Sequence, residues 1–310
     1  MNQYKPEGML ITGTKNYELT KSYEGLKYAM ERQLILESTV AMCDHELNLI
    51  VDFCPEIKGI IPKNEVVYSL SESVKDIAIL TRVGKTVCFK VIGFSLDGRG
   101  KRTAILSRRA AQKECFENYI EALIPGDIIP SRITHLENFG AFVDIGCGIT
   151  SLLSIDTISI SRISHPSARI KVGDFIYTVI KSRDELDRVF VSERELLGTW
   201  EENAALFKVG ETVTGIIRSV ESYGVFVELK PNLAGLAEYR DDVRPGQCAA
   251  VYIKSMLPEK MKIKLIIIDT NNNDKSHEPL NYFVDVNNVT HIDYWRYSPI
   301  NCQRTIETIF

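Results

Sequence analysis

Two stretches of the chain repeat the same residue types at the same spacing: ITHLENFGAFVDIG (133–146) and IRSVESYGVFVELK (217–230). Each has an aromatic before a glycine, a second aromatic three residues on, and a carboxylate two further along. In the first these are Phe139, Phe142 and Asp144; in the second, Tyr223, Phe226 and Glu228. Strand periodicity puts Ala141, Val143 and Ile145 on one face of the first stretch, and Phe142 with Asp144 on the other. The same parity places Val225, Val227 and Leu229 inside, and Phe226 with Glu228 outside. A Phe beside a carboxylate on the outer face is poorly explained as core. The glycine lets the chain bend and brings the preceding aromatic onto that face. Two neighbouring exposed aromatics form a platform on which unpaired bases stack, at roughly 1–3 kcal/mol per base and with little sequence preference. The alternative is that the rings pack under a linker helix or against a neighbouring barrel. For a pair written twice, stacking is the stronger reading.

Basic residues lie where a phosphate backbone would need them. Lys260, Lys262 and Lys264 alternate with Met261, Ile263 and Leu265, so their ammonium groups are expected to line one side of a strand; an ordinary solvated strand face is the alternative. Arg99, Lys101 and Arg102 fall in an expected hairpin turn, LDGRGKR, and Arg108 and Arg109 follow a strand; charge there is expected to serve solubility.

Catalytic patterns are weak. GFSLDGRG (93–100) has the glycines of a phosphate loop, but Arg99 stands where Lys-Ser/Thr should follow, so a hairpin turn is expected. Cys43, Asp44 and His45 are consecutive, and consecutive strand residues face opposite ways. The five histidines lack metal-ligand spacing, and the seven scattered cysteines form no C-x-x-C pair, so buried reduced thiols are expected rather than disulfides or zinc. No enzyme activity, cofactor or metal is expected.

The elements that position the aromatics are themselves repeated. The two stretches are 84 residues apart, and PGDIIPSRI (125–133) matches VGETVTGII (209–217) at the same offset. Downstream, KVGDFIYTVI (171–180) resembles RPGQCAAVYI (244–253), and each unit closes on an alternating strand, RVFVS (188–192) or KMKIKL (260–265). A weaker copy lies upstream, in ESTVAMCDHELNLIVDFCPEIKGIIP (37–62), RVGKTVCFKVIGF (82–94) and RTAILSRRA (102–110). Short alternating strands at regular spacing predict a small all-β barrel written three times, joined by helices. Leu19, Tyr23, Leu26 and Met30 predict a helix over 18–32; 107–124 and 192–207 also read as helix. The stretch TNNNDKSHEP reads as a loop leading to an aromatic tail. There, Tyr294-Trp295-Arg296-Tyr297 is expected to close over the third barrel rather than bind RNA.

The resulting divisions are 1–32, an N-terminal arm and helix; 33–116, a degenerate repeat; 117–124, a linker helix; 125–192, a repeat; 193–206, a linker helix; 207–269, a repeat; and 270–310, the tail. The net charge of −4 and pI near 5.9 argue against a DNA-coating protein but leave RNA binding by local patches open. MNQYKPEGML lacks the basic start and apolar core of a signal peptide, and apolar runs such as Leu265 to Ile268 are too short for a bilayer. A cytoplasmic location without a membrane partner is expected.

The pattern Gly…Val…Phe-Gly-Ala-Phe-Val-Asp…Val-Gly…Leu-Ser resembles the RNA-binding repeat of the ribosomal protein S-one family, over roughly Leu34–Leu265. The whole chain looks like the short S-one-like proteins of clostridia-type bacteria. The resemblance implies a mainly β chain of three tandem five-stranded OB-fold barrels with linker helices, the first degenerate, holding single-stranded RNA on one face. It implies RNA-binding aromatics at Phe139, Phe142, Tyr223 and Phe226, and an acid and arginine at Asp184 and Arg188, with Lys262 replacing the arginine in the third repeat. Where the family often has a histidine, this chain has Ser154 and Glu238, which should weaken binding. Glu46-Leu47-Asn48-Leu49 replaces the first platform, so that repeat is expected to dock the ribosome or a protein partner. The segment 159–170 could supply a helix that the short RDDV of the third repeat has no room for. The implied function is to hold single-stranded messenger RNA near the small ribosomal subunit. The alternative is a protein scaffold for a ribonuclease or RNA polymerase with little RNA binding of its own.

Overall fold

A computed structural model describes residues 4–54, 57–68, 75–96, 102–271 and 280–310. The turn charges Arg99 and Lys101, and most of the loop expected at 270–279, lie outside the described residues. The chain divides into two compact units: Met1–Leu123 with Asp144–Thr150, and Ile124–Val143 with Ser151–Phe310.

Among the described residues, the strands close into three five-stranded barrels of one topology. The first, in the first unit, is built from β1 (Leu36–Cys43), β2 (Leu49–Cys54), β3 (Ile57–Ile61), β4 (Thr86–Leu96) and β5 (Arg102–Ser107). The second uses β6 (Ile128–Glu137), β7 (Gly140–Asp144), β8 (Thr150–Ser154), β9 (Phe175–Arg183) and β10 (Val189–Ser192). The third uses β11 (Thr212–Glu221), β12 (Gly224–Lys230), β13 (Leu233–Ala237), β14 (Cys248–Leu257) and β15 (Lys262–Asn271). In each, the third and fifth strands pair in parallel and close the barrel, the arrangement of an OB-fold.

Alternation builds these strands. In β15 Ile263, Leu265 and Ile267 are buried while Lys262, Lys264, Ile266 and Ile268 are outside. The third core gathers Val225, Val227, Ile253, Ile263 and Leu265, each such buried side chain contributing roughly 1.5–3 kcal/mol. The first gathers Val40, Leu49, Val51, Phe89 and Leu106 with Leu26 and Ala29 from a helix.

The helices differ in extent from the sequence reading. The span 18–32 is two helices, α1 (Thr14–Thr20) and α2 (Tyr23–Glu31). Ser22, in extended conformation, caps the second by accepting the Gly25 N–H, which ends the first. After a short α3 (Asp76–Leu80), α4 (Arg108–Cys115) starts straight off β5. Ser107 caps it, and it runs on as a π-turn through Phe116–Ile120, so helix starts where the 107–124 reading put it, ahead of the linker drawn at 117–124. In the second unit, the 159–170 excursion follows α5 (Ile155–Ile158) and is mostly irregular, with one 3-10 turn at Pro166–Ala168 in place of the expected helix. A 3-10 turn at Arg194–Leu197 and α6 (Trp200–Ala204), closed by a Thr199–Glu202 capping box, join the second barrel to the third. No described helix is long and apolar enough to cross a membrane.

The aromatic tail is structural. Its strands β16 (Tyr294–Arg296) and β17 (Glu307–Ile309) pair, and Trp295 and Tyr297 are buried in the third core beside Trp200. Upstream, Tyr282, Val284, Val286 and Val289 pack on Tyr177 and Val179 of the second barrel and on Leu196 of the turn that follows it. The Tyr282 hydroxyl accepts the Tyr177 N–H at 2.9 Å and donates to Glu193 Oε1 at 3.1 Å.

Glu193 is fully buried, and burial pushes its carboxyl from 4.5 up to about 8, against the opposing pull of the Tyr282 hydroxyl and Arg169. Between those values the folded protein holds a proton that the unfolded chain has released, so stability falls as pH rises through this window. The thermal midpoint of the tail and second barrel is therefore expected to drop on going from about pH 5 to about pH 9. Glu193→Gln, which keeps the neutral shape, should flatten that profile in scanning calorimetry. An unchanged profile would place the proton elsewhere.

Candidate nucleic-acid interface

The two aromatic pairs are built alike. In the second barrel Phe139 and Phe142 lie with ring centroids 6.1 Å apart and planes at 87°. In the third, Tyr223 and Phe226 repeat both values, 6.1 Å and 87°. Edge-to-face contact is the arrangement that ring quadrupoles favour, and it holds each ring while leaving aromatic surface to solvent. Phe139 is 53% and Tyr223 67% exposed; Phe142 and Phe226 are half-buried.

The intervening glycines make this geometry. Gly140 (φ +157°) and Gly224 (φ +155°) run so close to the third strand that a Cβ would stand 2.3 Å from the Leu153 carbonyl oxygen or 2.5 Å from that of Ala237. Only glycine lets the turn lie flat there and swing the preceding ring onto the outer face.

His135, which sequence reasoning did not single out, stacks on Phe142 with centroids 6.4 Å apart and planes at 18°. Its Nε2 pairs with Glu137 Oε1 at 2.9 Å. Position 154 carries no imidazole, and the one beside Phe142 comes from β6. The only signal was a histidine in the first stretch where the second has Ser219. Ser154 itself donates to Asp156, and Glu238 is exposed.

Both carboxylates expected on the wet side are buried. Asp144 is 2% exposed, and accepts backbone N–H groups from Glu7 (2.7 Å), Gly146 (2.8 Å) and Gly148 (2.9 Å). Burial, reinforced by the nearby Glu7 carboxylate, pushes it up to about 7. Glu7 pairs with Arg108 at 2.6 Å, so Arg108 is a buried anchor and not a solubilising charge. Glu228 is 4% exposed and held by two guanidiniums. Arg169 reaches it at 2.6 and 2.8 Å from the 159–170 excursion, and Arg218 at 2.8 and 3.0 Å from β11. Burial alone would raise Glu228; the two arginines outweigh it and hold the carboxyl below its usual range. A cavity of about 560 Å³ lies beside this ion cluster, lined by Arg169, Arg218, Lys230 and Phe283 among others. None of the four platform aromatics lines it, as suits rings that must be open to solvent.

The charged residues divide. Asp184 Oδ1 accepts the N–H groups of Leu186 and Arg188, at 3.0 and 2.9 Å, and Oδ2 pairs with Arg188 Nε at 2.6 Å. Asp184 therefore holds the β9–β10 hairpin and presents Arg188, which is 68% exposed at its side chain. Lys262 and Lys264 project from the outer face of β15. Lys260 leaves the expected stripe: it sits in a 3-10 turn, and Met261 (φ 48°) breaks the alternation before β15 begins. In the first barrel, register puts Ile50 opposite Ile60 as Phe226 is opposite Leu236. The residues standing for the platform are thus Leu47 and Ile50, one position on from the sequence reading, and neither is aromatic.

Residues 123–193 match the S1 RNA binding domain. The small ribosomal subunit protein bS1 of Staphylococcus saprophyticus is 28% identical over 277 residues, covering 84% of this chain and 67% of its own. The bS1 homolog of Bacillus subtilis is 28% identical over 275 residues, covering 86% and 67%. Among solved structures, a multidomain protein with nucleic acid binding domains from Streptococcus pneumoniae aligns over 76% of this chain and 73% of its own, with 16% identity and a TM-score of 0.24.

Proposed function

We propose, for a chain that belongs to the S1 RNA-binding family, a non-enzymatic role in translation: it holds single-stranded messenger RNA at the small ribosomal subunit in the cytoplasm. The observation that carries this reading is the aromatic pair set out twice in one geometry on outer barrel faces. The binding residues are Phe139, Phe142, Tyr223 and Phe226, with Arg188, Lys262 and Lys264 meeting phosphates and Asp184 orienting Arg188. Lys260 contributes charge from its turn. Two modest sites in one compact unit gain affinity through effective concentration when one strand reaches both. The first barrel, with isoleucine and leucine at the platform positions, docks the ribosome or a protein partner and does not stack bases.

Cosedimentation with purified small ribosomal subunits tests the role. The protein should pellet with the subunits and retain unstructured messenger RNA on them, and excess free single-stranded RNA should displace that messenger. Retention on a protein partner after RNase treatment, without affinity for free RNA, would instead support the scaffold reading.

A further inference from the structure

The aromatic surface of the second barrel extends past the platform. The Gly140 and Gly224 contacts put Leu153 where Ala237 stands, so Phe142 lies opposite Leu152 as Phe226 lies opposite Leu236. The next strand continues each row across a parallel pairing: Leu152 faces Phe190, and Leu236 faces Lys264. The first barrel has Ile60 facing Ile105 at this place. Phe190 points outward, since Val189 and Val191 on either side of it are buried, and it is half-buried like Phe142. Arg188 shares its face two residues back, 68% exposed at its side chain. One row therefore reads Phe142–Leu152–Phe190 and the other Phe226–Leu236–Lys264, identical in type except at the last position.

We infer that Phe190 is a third base-stacking position of the second barrel, and that Lys264 makes the matching position of the third a phosphate contact. The two barrels thereby hold one RNA strand with a different balance of stacking and charge. Stacking on Phe190 responds little to salt. Each phosphate neutralised on a single strand steepens the dependence of log K on log[salt] by about 0.7. With Arg188 as its phosphate contact, the second barrel is the more salt-resistant grip, and the third, with Lys262 and Lys264, supplies the larger electrostatic share. The inference rests on the RNA-binding reading above and adds to it the residue that separates the two sites.

The test is fluorescence anisotropy of a short unstructured RNA across a salt series, using the full chain. Phe190→Leu keeps an apolar side chain of similar reach but removes the ring. It should weaken binding on the order of tenfold while leaving the salt slope unchanged. Phe190→Tyr should bind as wild type does, separating loss of the ring from loss of fold. Lys264→Gln should make the slope shallower by about 0.7. Wild-type affinity in Phe190→Leu, while alanine at the four platform aromatics abolishes binding, would overturn this inference and leave the function standing. An unchanged slope in Lys264→Gln would overturn its electrostatic half. No binding by the wild type would remove both the inference and the function.

Discussion

Alanine at Phe139, Phe142, Tyr223 and Phe226 together is expected to cut affinity for unstructured RNA by about thirtyfold or more, with the barrels intact. Each stacked base contributes about 1–3 kcal/mol, and the change removes both platforms at once. Loss of one base per platform would already cost about 2–6 kcal/mol, and every 1.4 kcal/mol is tenfold. The fold should survive because the rings sit on outer faces, with Phe139 and Tyr223 more than half exposed, while the cores are made by Val143, Val225, Val227 and their neighbours. Anisotropy reads the affinity, and circular dichroism reads the fold. The salt slope should change little, since no charge is removed. Unchanged affinity in a folded variant would make the four rings packing surface and move the function to the scaffold reading.

The second large effect is on stability. Glu228→Gln should destabilise the unit made of the second and third barrels by about 3–5 kcal/mol, because Arg169 and Arg218 would lose their shared counter-charge in a largely buried site. The side chains of Glu228, Arg169 and Arg218 are only 4%, 5% and 13% exposed, so solvent from the neighbouring cavity replaces the missing carboxylate only in part. Asp184→Asn is the contrasting case: Arg188 is solvated, so loss of the exposed pair should move stability far less. Urea unfolding followed by tryptophan fluorescence suits the measurement, since Trp200 and Trp295 both lie in the third core. A double Glu228→Met, Arg169→Met variant should recover part of the loss, as apolar replacement of a buried pair often does. If Glu228→Gln unfolds at the wild-type midpoint, the ion cluster is not holding the unit together.

Much of the architecture was legible because a strand's period of two is local. The residues Val225, Val227 and Leu229 had to face inward whatever surrounded them, and repetition at 84 residues marked the second and third barrels as copies. The aromatic pairs were legible for the same reason, with Gly140 and Gly224 marking where the chain must bend. The helix boundaries were less so: one capping serine divided 18–32 into two helices, a side-chain hydrogen bond that hydrophobic spacing does not report.

Alternation tells which side of its own strand a residue takes, and nothing about what covers that side. Asp144 and Glu228 took the outer face as their parity required, yet both are buried. The loop glycines and Glu7 close over the first, and an arginine from an irregular excursion 59 residues away in sequence closes over the second. His135 joined the platform because β6 brings it beside Phe142, a contact between strands. Lys260 left its stripe because one residue, Met261, took the left-handed conformation. The sequence alone determined the barrels, their repetition and the paired outer-face aromatics, all written in short-range pattern. Tertiary structure alone decided which charges meet solvent and which are locked in the interior, because burial of an outward side chain depends on segments distant along the chain.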